Sequence, residues 1–166
     1  METDSQIAHV LHDEHKRIMT LMKRLEGIAR GSWGSTVPDI ADDDIASLLT
    51  DLDTELAGAS EHHFQFEEVK IFPALIAVGD VTVPYLLRQE HDLLRNLSEF
   101  MIPSVELARR QGFTADSWSE FRDLALELAE KHISHIQREE AAMLPALQGL
   151  FAEQRDDELV TQYAEA

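Results

Sequence analysis

The chain has 166 residues, enough for one domain with a substantial core and short of two. Its 44% hydrophobic and 28% charged content suits a globular protein, and no apolar run is long enough to cross a bilayer. A net charge of −18 repels nucleic acid and anionic membranes, and the lack of cysteine excludes disulfides, thiol catalysis, cysteine-held iron–sulfur clusters and zinc knuckles.

Apolar periodicity is helical almost throughout. A first helix is expected from about Ser5 to Ala29, with a seam of Ile7, Leu11, His15, Ile18, Met22 and Leu25 in steps of three and four. Residues 30–41 (RGSWGSTVPDIA) read as a loop from their glycine, serine and proline content. A second helix begins at the Asp42–Asp44 cluster, where acidic groups suit a helix N-terminus. Its seam is Ile45, Leu49, Leu52, Leu56, Ala59, His63 and Phe66, and it is expected to end or kink at Pro73.

Gly79-Asp80 closes that segment, and a third helix starts near Pro84, a favoured first-turn residue. It carries Leu87, His91, Leu94 and Leu97 and meets Pro103. After a loop at Gly112–Ala115, Ser117 and Glu120 have capping-box spacing. The fourth helix carries Phe121, Leu124, Leu128, His132, His135 and Glu139 and reaches Pro145. The predicted class is all-α, an antiparallel up-down four-helix bundle. Residues 1–166 are expected to form a single domain with its core over 5–150. Residues 151–166 form an acidic tail or a short fifth helix.

The chain repeats itself. HFQFEEVKIFPAL (63–75) and HIQREEAAMLPAL (135–147) share seven of thirteen positions. A Glu-His pair precedes each copy, Glu14-His15 and Glu90-His91. The order His, HxxxE, His, HxxxE suggests two helical hairpins related by a pseudo-twofold.

HxxxE sets an imidazole and a carboxylate one turn apart on one helix face. In both copies, His63/Glu67 and His135/Glu139, the pair falls on the apolar seam, where an unpaired carboxylate is costly. Two such carboxylates facing each other would repel, and two cations between them would remove the conflict. Glu67 and Glu139 are therefore assigned as bridging ligands and His15, His63, His91 and His135 as terminal ligands. Mixed nitrogen and oxygen ligation suits iron, manganese or zinc better than calcium or magnesium. A lone histidine on a seam is ordinarily a packed core residue, but six groups in a duplicated pattern are not explained that way.

Three residues before His15, His12 shares its face and is a further candidate ligand. His132 suits packing or hydrogen bonding behind the ligands. His62 is expected to face solvent and His9 to be an ordinary surface residue. No HExxH, Glu-x-x-His, phosphate-binding glycine loop or Gly-x-Ser-x-Gly elbow occurs.

The order His15, His63-x3-Glu67, His91, His135-x3-Glu139, with a proline six residues after each glutamate, resembles the hemerythrin-like HHE cation-binding domain over about residues 5–150. That resemblance implies an oxo- or hydroxo-bridged pair of iron ions inside a four-helix bundle. Oxygen carriers of this kind have a second histidine four residues after the helix-three histidine and an aspartate on the last helix. This chain has Arg95 and Glu139 at those places. It is closer to the branch that includes iron-centre repair proteins and iron-sensing domains, though without the cysteine-bearing domain of the repair proteins.

The expected function is a non-haem di-iron protein that binds or reacts with oxygen, nitric oxide or peroxide as carrier, scavenger or sensor. Alternatives are an enzyme processing peroxide or nitric oxide, and an iron storage or iron-centre repair module. No distinct acid or base supports an enzyme. The start of the chain, METDSQ, shows no secretory pattern, so the expected location is the cytoplasm. No nucleic-acid or membrane partner is expected.

Overall fold

A computed structural model describes residues 4–31 and 36–165. They form five helices and no strand: α1 (Gln6–Arg30), α2 (43–77), α3 (Thr82–Gln111), α4 (115–147) and α5 (Glu153–Glu165). None is long and apolar enough to cross a membrane. Residues 32–35 of the expected 30–41 loop lie outside the described residues, as do Met1, Glu2 and Thr3 of the N-terminal reading and Ala166 of the tail.

Local signals set most boundaries. Ser5 caps α1 by accepting from the Ala8 amide, and Asp42 caps α2 by accepting from the amides of Asp44 and Ile45. Gly112, at φ 73°, ends α3 in the left-handed region that favours glycine. The capping box of α4 is one step upstream of the expected one. Thr114 is the cap and Ser117 its partner, because Ser117 already lies inside the helix.

The helix that was expected to end or kink at Pro73 does not end there. A widened π-turn, Glu67–Ile71, precedes Pro73, and another, Glu139–Met143, precedes Pro145. In each the next amide, Phe72 or Leu144, bonds the glutamate carbonyl five residues back. Proline has no N–H to give, and its ring presses on the carbonyl four residues back. A wider turn absorbs that conflict without ending the helix. A third π-turn, Glu55–Ala59, also starts at a buried glutamate.

Side-chain contacts tie the helices together. Arg122 donates to the Ala29 carbonyl, His15 meets Glu140, and the Ser5 amide donates to Gln148, so α1 runs along α4. Pairs Arg95–Glu61 and Arg109–Asp53 join α2 to α3, while Arg17–Glu55 and Arg24–Asp51 join α1 to α2.

The buried apolar residues fall into two clusters. One holds Ile18, Met22, Leu52, Phe64, Leu94, Phe121 and Ile136. The other holds Ile7, Leu11, Phe66, Ile71, Phe72, Leu87 and Met143. Along each of the first four helices the switch between clusters falls beside the seam ligands: Leu11 to Ile18 around His15, Phe64 to Phe66 between His63 and Glu67, Leu87 to Leu94 around His91, and Ile136 to Met143 around Glu139. A polar layer thus crosses an otherwise oily interior. Each fully buried aliphatic or aromatic side chain on either side contributes about 1.5–3 kcal/mol, which is what holds that layer in place.

The acidic tail is a docked helix. Asp156 and Leu159 of α5 are buried, and Asp156 accepts from Ser5 Oγ and the amides of Gln6 and Ile7 at the start of α1.

Candidate metal centre

The polar layer is made by His15 from α1, His63 and Glu67 from α2, His91 from α3, and His135 and Glu139 from α4. All six are buried, with both glutamates at 0% exposure. Two groups of possible ligands form within it. His15, His63, Glu67 and Glu139 make one, and Glu67, His91, His135 and Glu139 make the other. Within each, the ligand atoms all lie within 4.8 Å of one another. Glu67 and Glu139 belong to both.

The close approaches are not ordinary hydrogen bonds. His15 Nε2 is 2.8 Å from Glu139 Oε2, His63 Nε2 is 3.0 Å from Glu67 Oε1, and His135 Nε2 is 2.7 Å from Glu139 Oε1. Yet Glu67 Oε1 and Oε2, Glu139 Oε2 and His135 Nε2 are buried with no partner in hydrogen-bonding geometry. Buried polar atoms are nearly always satisfied, so a cluster of orphans calls for an occupant. A first-row cation about 2.0–2.2 Å from its ligands spaces neighbouring ligand atoms by roughly 3 Å in an octahedron, close to these separations. The donor set therefore fits a pair of such cations.

The outward-facing nitrogens are held as well. Glu140 accepts from His15 Nδ1 at 2.7 Å, Glu68 from His91 Nδ1 at 2.9 Å, and Glu90 from His135 Nδ1 at 2.8 Å. His63 Nδ1 lies 3.3 Å from the Tyr163 hydroxyl. In the neutral imidazole such partners keep the proton on Nδ1, which leaves the Nε2 lone pair facing the interior. Sequence reasoning did not assign Glu68, Glu90, Glu140 or Tyr163 this role. For the glutamates a signal was present: Glu68 and Glu140 are the second members of the duplicated Glu-Glu steps, and Glu90 precedes His91. Tyr163 had none.

Electrostatics reflect the crowding. Burial pulls His15 down, but the Glu139 carboxylate beside it outweighs this and raises it to about 9. The same balance, against Glu139 and Glu67, raises His91 to about 9 and, against Glu139 and Glu90, His135 to about 10. Burial and the Glu139 charge push Glu67 up, and His63 and His91 more than offset them, leaving it below the usual carboxylate range. Burial likewise raises Glu139, and His135, His15 and His91 bring it well below that range.

The other histidines stand apart. His12 belongs to neither group, its side chain 43% exposed and its Nδ1 2.9 Å from Glu140. His132 packs against Phe64 and His135 with an unpartnered Nδ1, and burial lowers it to about 3. His62, expected to face solvent, is half-buried because its Nε2 donates to the Tyr163 carbonyl. His9 is exposed beside Asp4. Arg95 holds Glu61 and Glu68 and lies over the Phe64 ring, outside both groups.

Residues 6–147 match the family model of the hemerythrin HHE cation-binding domain. The chain belongs to that family. No curated protein matches it. The match spans α1 to α4 and every residue of the two ligand groups, and α5 of this hemerythrin-like chain lies beyond it.

Proposed function

We propose that this hemerythrin-like chain holds two iron ions, bridged by Glu67 and Glu139, and uses them to bind or react with a small ligand such as oxygen, nitric oxide or peroxide. The observation that carries this is the sharing of Glu67 and Glu139 by two convergent, fully buried ligand groups. In this reading α1 to α4 form an antiparallel up-down bundle, supported by the contacts of Ala29 with Arg122, His15 with Glu140 and Ser5 with Gln148.

A bound iron pair supplies adjacent redox-active Lewis-acid positions. The chain does the rest. His15 and His63 would hold one position, and His91 and His135 the other. Glu67 and Glu139, which belong to both groups, would balance the cation charge inside the apolar core. Each group would supply four protein ligands, which would leave room for a small molecule at an ion that prefers six. The two apolar clusters keep bulk water from the layer. Glu140, Glu68 and Glu90 keep three imidazoles aimed inward.

Elemental analysis after anaerobic loading with ferrous iron tests this. Two iron ions per chain, with a charge-transfer band on exposure to air, are expected. Fewer than one ion per chain would defeat it. Peroxide consumption by the loaded protein separates an enzyme from a carrier.

A further inference from the structure

Beyond the family's matched stretch, α5 brings one side chain to the edge of the metal centre. Tyr163 Oη is 3.3 Å from His63 Nδ1. Three contacts hold it there: its carbonyl accepts from His62 Nε2 at 3.0 Å, its ring stacks at a tilt on His62, and it meets Phe66 edge-on at 4.9 Å. Leu159 buries α5 in the core and Asp156 ties it to the start of α1.

The internal repeat shows what Tyr163 stands in for. Glu90, just before His91, accepts from His135 Nδ1. Its counterpart in the first half is Glu14, just before His15, and the counterpart of His135 is His63. Glu14 does not take that role. It pairs with Arg17 at 2.7 Å, and Arg17 also holds the buried Glu55 at 2.7 Å. Among the four imidazoles of the two ligand groups, His63 alone thus has a neutral phenol behind it where the others have carboxylates.

We propose that Tyr163 is a positioning residue of the metal centre, and that its phenol, in place of a carboxylate, makes the two ion positions unequal, the His15/His63 position holding its ion more weakly. The proposal rests on the two-ion reading above. A carboxylate that accepts from Nδ1 makes the imidazole a stronger donor at Nε2. A neutral hydroxyl orients the ring with less of that effect. Partners of this kind typically change metal affinity on the order of 10–100-fold.

The test is an anaerobic titration of the full chain with ferrous iron against a competing chelator. The unaltered chain should show two unequal steps. Tyr163→Phe should weaken the weaker step about tenfold and leave the tighter one in place, whereas Glu90→Gln should weaken the tighter step. Circular dichroism of the metal-free variants checks folding. Should Tyr163→Phe not fold, the tyrosine absorption of the unaltered chain decides. Tyr85 and Tyr163 are its two tyrosines, and the difference signal should grow with the second equivalent of iron. Equal steps, no effect of Tyr163→Phe, the same effect from both variants, or a tyrosine signal completed by the first equivalent would overturn the proposal. A chain that takes up no iron would sink the two-ion reading, and this inference with it.

Discussion

His15 Nε2 and His63 Nε2 face each other at 3.3 Å in the buried interior. Two nitrogen lone pairs that close repel unless a proton or a cation sits with them. In the metal-free chain a proton on His15, raised to about 9 by the Glu139 carboxylate, does this, and His91 and His135 are likewise raised, to about 9 and about 10.

Iron loading should therefore release protons. The ligand nitrogens must be free to bind metal, so at pH 7 uptake displaces protons held by His15, His91 and His135, and affinity rises with pH. Calorimetry of loading in buffers of different ionisation heat counts the protons, and more than one is expected. A loading heat independent of buffer would refute this. The stability of the metal-free fold should follow the opposite trend. Folded values raised above about 6.5 contribute stability that is whole below that pH and is lost as pH climbs through 9 to 10.

Removing a shared carboxylate should cost both ions, and removing His12 neither. Glu139→Ala strips a donor from both ligand groups, whereas His12 lies outside them. Iron per chain should fall from two to below one in Glu139→Ala and stay at two in His12→Ala. Equal iron retention in the two variants would contradict the assignment.

The helices and the convergent layer were legible because two periodicities coincide. The 3.6-residue apolar seam placed His15, His63, His91 and His135 inside, and the repeat placed Glu67 and Glu139 with them. Proline misled at Pro73, where the helix does not end because a π-turn that a local rule does not foresee absorbs the conflict. His62 misled for another reason. Its partner, the Tyr163 carbonyl, is 101 residues away, on a helix whose burial rests on Asp156 and Leu159 rather than on a strong apolar stripe. Long-range polar contacts leave no local pattern to read.

Stability and metal binding should separate at Phe121. Its ring is buried in the cluster that holds Ile18, Met22 and Ile136, against Phe113 and Trp118. Phe121→Ala removes a large core side chain and should cost about 3–5 kcal/mol in denaturant unfolding of the metal-free chain. Iron stoichiometry should remain two, since no ligand or ligand partner touches that ring in the aromatic contacts it makes. Loss of iron at a temperature where the variant is folded would show that the distal core shapes the centre.

Asp156 should act as a latch between the two ends of the chain. Its carboxylate is buried, and it accepts from Ser5 Oγ, the Gln6 amide and the Ile7 amide. Those amides have no partner inside α1, and a negative group at a helix start also meets the positive end of the helix dipole. Asp156→Ala leaves them unpaired in a buried setting and should cost about 2–3 kcal/mol. For a chain of this size that lowers the metal-free melting temperature by roughly 5–10 °C. Asp156→Asn keeps an acceptor without the charge and should fall between. Because Tyr163 rides on the same helix, Asp156→Ala should also loosen the weaker iron step more than the tighter one. An unchanged melting temperature would mean that apolar contacts such as those of Leu159, Val160 and Tyr163 hold α5 without the latch.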